Sequence, residues 1–374
     1  MFTKFHLRDY NFKLLIYVIA IMIIGVFAVN SADSEFTFKQ AVGVSAGIVI
    51  MIFLSFFDYH FICKFYHVIY IVNIALLLMV LLFGVNVNNA TRWINIGGEN
   101  GIQIQPSEIS KILMIVFVAA FLGKYKDKDR INTFRCIALF MVFVGFSLLF
   151  IVAEPDLSTT ICLFVVLITM LYVSGLSYKI IGIALLIAIP LAGSFLWYIQ
   201  LPGEKILLKQ YQINRILSFV YPSQYGDDMS QQNNSIMAIG SGQLTGKGFN
   251  SSTIATVKDA NFISEQQTDF IFSVIGEELG FIGSVIIIAI IMLIVLQCIK
   301  IARRAKDTRG MLIASGIGTL IAYQSFINIG VATGVLPNTG IPLPFISYGL
   351  SSLLSISIGM GIVLNVSLQK SEFY

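Results

Sequence analysis

Residues 310–369 read GMLIASGIGTLIAYQSFINIGVATGVLPNTGIPLPFISYGLSSLLSISIGMGIVLNVSLQ and contain no Asp, Glu, Lys or Arg. A helix needs about 20 apolar residues to cross a bilayer, so this stretch is long enough for two crossings. Pro337, Pro342 and Pro344 interrupt it. Because proline lacks the N–H that continues a helix, the stretch predicts two membrane-spanning helices joined by a turn rich in glycine and proline.

The composition of the whole chain supports the same fold class. Of 374 residues, 57% are hydrophobic and 12% are charged, with a mean hydropathy of +0.85. A soluble domain carries about 25% charged residues, so soluble, secreted and disordered proteins are excluded. Long apolar runs predict an all-α polytopic membrane protein of about ten spans. These are 14–30, 41–57, 68–85, 109–123, 136–153, 158–177, 180–201, 270–299, 311–336 and 351–369.

Lysine and arginine residues gather in three segments, which predict the orientation of the chain. The segments precede the first span, follow the fourth and follow the eighth: Lys4, Arg8, Lys13; Lys124, Lys126, Lys128, Arg130, Arg135; and Lys300, Arg303, Arg304, Lys306, Arg309. Ten spans place all of them on one side, which the positive-inside rule makes the cytoplasmic side. We therefore expect cytoplasmic termini, one transmembrane domain over residues 1–374, and an extracytoplasmic loop at about 202–268.

This topology limits the chemistry that an outward-facing site could use. All three histidines (His6, His60, His67) fall on the cytoplasmic side, which excludes an outer Ser-His-Asp triad or histidine-ligated zinc. The four cysteines form no C-x-x-C pair, so neither a disulfide framework nor a zinc site is indicated. The net charge of +4 reflects the distribution of charge along a membrane protein, and no nucleic-acid partner is expected.

Several polar residues stand out between the predicted spans. Arg92 and Trp93 precede a helix start at Pro106, where Glu108 and Lys111 share one helix face. They form either an interfacial anchor with a helix-entry ion pair, or a site for an anionic head group. Lys247 follows a glycine-rich run that suggests a phosphate loop, but no Ser or Thr comes next and the motif fails.

Four further residues carry carboxylates or a cation at the outer side. Glu154 and Asp156 interrupt apolar sequence, either as a solvated turn with a helix-capping Asp156 or as functional acids, since ionisable groups near hydrocarbon are costly. Asp269 lies where the polar loop meets the eighth span, as a helix cap or as a catalytic or ion-binding group. Arg215 is either a solvated loop cation or a substrate contact.

Taken together, six segments resemble the SEDS family (shape, elongation, division and sporulation), which includes RodA, FtsW and SpoVE. They occur in the expected order along nearly the whole chain: ATRWINIGG (90–98), IQPSEISKIL (104–113), AEPDLSTT (153–160), AIGSGQLTGKG (238–248), QQTDFIFSVIGEELGFIG (266–283) and NTGIPLPFISYGLSS (338–352). The short cytoplasmic ends slightly favour a RodA-like role in elongation over an FtsW-like role in division.

The resemblance implies a peptidoglycan glycosyltransferase of the bacterial cytoplasmic membrane. Such proteins polymerise lipid II, a polyprenyl-diphosphate-linked disaccharide-pentapeptide, at the outer face of the membrane, beside a class B penicillin-binding protein. The family's essential carboxylate in its TDFIF-type motif corresponds to Asp269, and the Glu and Lys of QPSE-x-x-K correspond to Glu108 and Lys111.

The residue inventory suits that reaction. We expect Asp269 to be the general base, and Arg92, Lys111 and Arg215 to contact the diphosphate or the head group, with inversion at the anomeric carbon. Further expected substrate contacts are Trp93, Glu108, Glu154, Asp156 and Lys247. A divalent cation, Mg²⁺ or Mn²⁺, would be an additional way to hold the leaving group. The alternatives are a lipid II flippase without transferase chemistry and a secondary transporter.

Overall fold

The computed structural model of the chain describes residues 10–87, 90–96, 102–200, 210–221, 230–249 and 265–369. Within these ranges the chain is mostly α-helical. The helices are α1 Phe12–Ala32, α2 Thr37–Ser55, α3 Tyr59–Lys64, α4 Tyr66–Phe83, α5 Pro106–Lys126, α6 Phe134–Ala153, α7 Leu157–Val173, α8 Tyr178–Gln200, α9 Gln210–Val220, α10 Ser230–Ser241, α11 Ile271–Arg304, α12 Thr308–Ala332 and α13 Leu350–Leu368.

Ten of these helices coincide with the ten predicted spans. Eight are long and apolar enough to cross a membrane: α1, α2, α4, α5, α6, α11, α12 and α13. The apolar helix α7 has 17 residues, and α8 occupies the position of the seventh predicted span. The prediction of an all-α polytopic membrane protein is therefore confirmed.

The helices divide into an inner and an outer group. Within the span of α5, 89% of the residues are buried, compared with 78% in α13 and 61% in α12. The same share is only 17% in α4 and 28% in α6. Because the outer helices keep apolar side chains on their open faces, those faces suit hydrocarbon. The inner helices α5, α12 and α13 carry the turns and helix starts that build the site described below.

The segment between α4 and α5 contains short strands that the sequence analysis did not predict. Strands β1 (Val85–Val87), β2 (Ala90–Ile96) and β3 (Ile102–Ile104) form an antiparallel sheet in the order β1-β2-β3. This sheet places Arg92 and Trp93 on its central strand. Helix α5 then begins at Pro106, as expected, since proline suits the first position of a helix.

Helix α11 is longer than the predicted eighth span and is broken near its start. Its 34 residues exceed the roughly 20 that a bilayer core requires, and Gly280 has non-helical angles (φ 64°, ψ −161°). The uncharged run 279–299 covers about 31 Å on its own. The break therefore lies near one end of the membrane-spanning part, and Glu277 and Glu278 are not deep within it.

Candidate active site

Asp269 lies in the turn 265–270, directly before α11. Its backbone N–H donates to Glu265 O at 3.3 Å, and Thr268 N–H donates to the same oxygen at 3.2 Å. Helix α11 starts after Phe270 and has no side-chain cap. The structure therefore does not place Asp269 as a helix cap, and the residue is half-buried.

Helix α12 and the turn 337–349 hold the backbone of Asp269 in place. The Asn328 side chain donates from Nδ2 to Asp269 O and to Ile341 O, both at 2.8 Å. Ser347 Oγ donates to Thr268 O at 2.6 Å, and Tyr348 N–H donates to Gln267 O at 2.9 Å. The proline-rich turn between α12 and α13 is thus non-helical backbone that fixes the segment carrying Asp269.

Arg215 of α9 and Gly340 of that turn adjoin the Asp269 carboxylate. A methyl group built on Gly340 would lie 3.3 Å from Asp269 Oδ2 and 3.7 Å from Arg215 Nη1. Gly340 also has φ +70°, a conformation that favours glycine. Glycine at position 340 therefore leaves room beside the turn for both the acidic and the basic side chain.

The pKa of Asp269 is raised to about 6. Burial is the largest cause, because it disfavours the charged form, and the Glu265 and Asp156 carboxylates add to it. Arg215 and Arg92 act in the opposite direction. A carboxylate with this pKa is ionised at neutral pH and is still basic enough to take up a proton.

Arg92 joins the sheet to the turn between α6 and α7. Its Nε donates to Glu154 O at 3.4 Å, its Nη2 donates to Pro155 O, and its Nη1 lies 3.8 Å from Asp156 Oδ1. Asp156 Oδ1 also accepts a hydrogen bond from Thr159 N–H at 3.1 Å, so Asp156 caps α7. This is one of the two roles that the sequence analysis gave it. Gln105 Nε2 donates to Asp156 Oδ2 at 3.4 Å.

Arg92, Glu154 and Asp156 belong to the same site as Asp269. Ser158, in the first turn of α7, donates from Oγ to Thr339 O at 2.5 Å, which ties that helix to the turn beside Gly340. Arg92 and Asp156 are also close enough to influence the pKa of Asp269. The structure thus brings together Arg92, Glu154, Asp156, Arg215 and Asp269, which the sequence places in four separate segments.

Glu108 and Lys111 form an ion pair on the first turns of α5. Lys111 Nζ lies 2.7 Å from Glu108 Oε1, and both side chains are buried. The sequence analysis expected either a helix-entry ion pair or a head-group contact, and the pair is present. Its burial distinguishes it from an exposed interfacial pair.

Lys247 belongs to a segment, residues 243–248, that hydrogen-bonds the backbone of α11 on both sides of its break at Gly280. Lys247 and Gly248 N–H donate to Glu277 O and Glu278 O at 3.0 and 3.1 Å. Phe281 and Ile282 N–H donate to Gln243 O and Leu244 O at 2.9 and 3.1 Å.

The Lys247 side chain adds an ion pair to this contact, and the glycines make the contact possible. Lys247 Nζ lies 2.6 Å from Glu277 Oε1. A Cβ on Gly242 or Gly246 would come within 2.0 Å of a backbone oxygen of α11. The glycine run therefore serves close backbone packing, consistent with its failure as a phosphate loop.

Comparison with known proteins assigns the chain to a family. A family model for FtsW, RodA and SpoVE, described as "Cell cycle protein", matches residues 7–372. The chain belongs to the FtsW/RodA/SpoVE family. The resemblance drawn from its six sequence motifs is thereby confirmed.

Relatives of this family member carry the names FtsW and MrdB. The probable peptidoglycan glycosyltransferase FtsW of Buchnera aphidicola is 37% identical over 308 residues, covering 81% of this chain and 72% of that protein. The peptidoglycan glycosyltransferase MrdB of Escherichia coli is 31% identical over 369 residues, covering 97% and 94%.

Solved structures share the fold. One, from work on the structural coordination of polymerization and crosslinking by a peptidoglycan synthase complex, has a TM-score of 0.78 and 26% identity, covering 96% of this chain and 97% of that one. The rod shape determining protein RodA of Thermus thermophilus has a TM-score of 0.68 at 24% identity, covering 96% of each chain.

The described residues of this family member contain no group of three or more His, Cys, Asp or Glu side chains able to hold a metal ion. Mg²⁺ is commonly held by one or two carboxylates together with substrate phosphates, which needs no such group. The possible cation remains a prediction.

Two residues important to the site's geometry were missed by the sequence analysis. Asn328 and Ser347 fix the turn that carries Asp269, and both are buried. They lie in the uncharged stretch 310–369, where polar side chains were not considered individually. Buried amides and hydroxyls need hydrogen-bond partners, so an Asn inside an apolar span was an available signal.

Proposed function

We propose that this chain is a peptidoglycan glycosyltransferase that polymerises lipid II at the outer face of the cytoplasmic membrane, with Asp269 as the general base. Curated relatives carry the name peptidoglycan glycosyltransferase, and the residues around Asp269 suit that chemistry. In the reaction, a sugar hydroxyl of the acceptor attacks the anomeric carbon of the donor, and the polyprenyl diphosphate leaves. A single displacement of this kind inverts the anomeric carbon.

The observation that carries the proposal is the environment of Asp269. A general base works best when its pKa lies near the operating pH, and burial raises the pKa of Asp269 to about 6. Asp269 is half-buried, and its backbone is held by Asn328. A fixed, accessible and moderately basic carboxylate is suited to take the proton from the attacking hydroxyl.

Arg215 and Arg92 are the proposed contacts for the diphosphate. Both cations lie close enough to Asp269 to lower its pKa. Guanidinium groups match phosphate oxygens with paired N–H donors. Positive charge placed where the leaving group develops its negative charge lowers the barrier most effectively. Asp269 and the two arginines would therefore act on opposite ends of the same displacement.

A class B penicillin-binding protein is the proposed partner. The solved structure with a TM-score of 0.78 belongs to a peptidoglycan synthase complex that coordinates polymerization and crosslinking. A polymerase of glycan strands needs a transpeptidase to join them. We expect the partner to stimulate polymerisation without supplying the base.

The outward orientation is testable by cysteine labelling. Asn233→Cys, exposed on α10, should react with an impermeant thiol reagent in intact cells, and Lys128→Cys, exposed after α5, should react only after lysis. The four native cysteines are buried, so their background should be low. The opposite pattern would reverse the topology and remove the proposed outer site.

The proposed base is tested by Asp269→Asn in a lipid II polymerisation assay with purified chain and partner. Loss of a positioned base typically lowers a rate by about 10²–10⁴-fold, while Asn keeps nearly the same shape. The variant should keep its melting temperature and its binding of lipid II. Normal polymerisation by Asp269→Asn would exclude Asp269 as the base, and absence of polymer from the wild type would favour a flippase.

A further inference from the structure

Glu154, the residue after α6, is the one acid in the described part of the chain whose two carboxyl oxygens are both buried and without a hydrogen bond. Its side chain is fully buried. Neither of its carboxyl oxygens has a hydrogen-bond partner among the described residues. Buried polar groups are nearly always paired, and an unpaired one calls for an explanation. An ionised carboxylate in such a place would cost several kcal/mol, so the group takes up a proton instead.

The neighbouring arginine does not neutralise this carboxyl. Arg92 donates to the backbone carbonyls of Glu154 and Pro155, and its charge faces the Asp156 carboxylate at 3.8 Å. Arg92 is thus bound to the peptide backbone of residue 154 but paired in charge with residue 156. The Arg92 guanidinium could pair with either carboxyl group, and in the structure it pairs with that of Asp156.

The charged groups around Glu154 agree with a neutral acid. The pKa of Glu154 is raised to about 8; burial is the largest cause, the Asp156 carboxylate also raises it, and Arg92 acts in the opposite direction. In neighbouring α5, Glu108 and Lys111 neutralise each other at 2.7 Å. At neutral pH, Glu154 therefore adds no charge to a site that already contains Asp156 and Asp269.

We propose that Glu154 is a positioning residue that must remain a neutral carboxylic acid for the enzyme to work. With its proton in place, Arg92 stays on Asp156, and the site can admit the anionic diphosphate. When the proton is lost, the new carboxylate draws Arg92 away from Asp156 and repels the diphosphate. This inference rests on the proposed glycosyltransferase function and identifies the group that limits it on the alkaline side.

The test compares the pH dependence of polymerisation in the wild type and in Glu154→Gln. Each protein's rate at about pH 9.5 is divided by its own rate at about pH 7, so partial loss of folded protein cancels. Above the pKa of Glu154, the wild-type rate should fall by about tenfold per pH unit. Because Gln cannot ionise, Glu154→Gln should keep a much larger share of its rate.

Glu265→Gln is the matched control. Glu265 is an exposed carboxylate in the turn that carries Asp269, and its removal should leave the wild-type alkaline fall in place. An equal fall in the wild type and in Glu154→Gln would overturn the inference while leaving the proposed function intact. Absence of polymer from the wild type at every pH would instead reject the proposed function.

A second measurement does not depend on activity. The infrared band of a protonated carboxylic acid should be present in the wild type near neutral pH, titrate near pH 8, and be absent from Glu154→Gln. A wild-type spectrum at about pH 7 that matches the Glu154→Gln spectrum in this band would show that Glu154 is ionised and would contradict the inference.

Discussion

The two ends of the helical bundle both gather charged side chains, but they treat the charges differently. At the end formed by α3 and the connection between α11 and α12, His60 Nδ1 lies 3.0 Å from Asp58 Oδ1, and Nε2 lies 3.3 Å from Asp307 Oδ2. Tyr59 donates its hydroxyl to Asp307 at 2.7 Å, and Gln369 Nε2 donates to Asp58 at 2.9 Å. Asp58, His60 and Asp307 form a histidine cluster in which every charge is paired.

The pKa values of the carboxyl groups at the two ends are shifted in opposite directions. In the histidine cluster, burial opposes ionisation of Asp58 and Asp307, but hydrogen bonds outweigh it and lower the pKa of both. The hydrogen bond to Asp307 raises the pKa of His60. At the other end, burial raises the pKa of Asp269 and Glu154 towards neutrality.

The difference separates a structural cluster from a functional one. Paired charges keep their ionised forms and join helices, so they contribute to stability. Carboxyls whose pKa is raised towards neutrality gain nothing in stability and are typical of functional sites. We therefore expect changes in the histidine cluster to affect melting, and changes around Asp269 to affect turnover.

The buried pair of Glu108 and Lys111 is the strongest challenge to this comparison, because it lies near the active site and is fully paired. If pairing marks a structural role, Lys111→Met should leave Glu108 buried without a partner and cost about 3–5 kcal/mol of stability. The double variant Glu108→Gln with Lys111→Met removes both charges. It should recover the melting temperature and polymerise lipid II.

A stable but inactive double variant would break the comparison. It would show that Lys111 contacts the substrate despite its ion pair, as the family motif implies. The measurements are the melting temperature in detergent and the rate of polymerisation, with Asp269→Asn as the inactive, folded control.

The histidine cluster should give the smallest effect. The pKa of His60 is raised in the folded chain, so its stabilisation is complete below the unfolded pKa of about 6.5 and is lost as the pH rises through the folded value. His60 is about a third exposed, and such pairs contribute less than about 1 kcal/mol. His60→Gln should therefore lower the melting temperature by only about 2 °C at pH 6.

The effect of His60→Gln should shrink as the pH rises through the folded pKa of His60, because the charge on the wild-type histidine is then lost. Polymerisation at pH 7 should stay normal. A change in the polymerisation rate without a change in the melting temperature would give the histidine cluster a role in catalysis. That result would contradict the division into a structural and a functional end.

The spans and the site motifs were predictable for a common physical reason. Apolar runs such as 136–153 have no stable environment except a membrane or a protein core, and their length and number select the membrane. Charged residues within or beside such runs are costly, so Glu154 and Asp269 stood out from the sequence alone.

The features that the sequence left open depend on contacts between distant segments. The break at Gly280 is stabilised by backbone groups of residues 243–248, more than 30 positions away. The β2 strand follows from pairing with β1 and β3, and Asn328 acquires its role only where the turn 337–349 meets residues 265–270. Local periodicity carries no information about such pairings.

The most direct test of Asp269 as the general base is the acid side of the pH–rate profile for lipid II polymerisation. A base must be ionised to accept a proton, so the wild-type rate should fall by about tenfold per pH unit below the pKa of Asp269, which is about 6. The residual rate of Asp269→Asn should show no such decline. A wild-type rate that stays constant from about pH 7 to about pH 4.5, or the same decline in Asp269→Asn, would contradict the assignment.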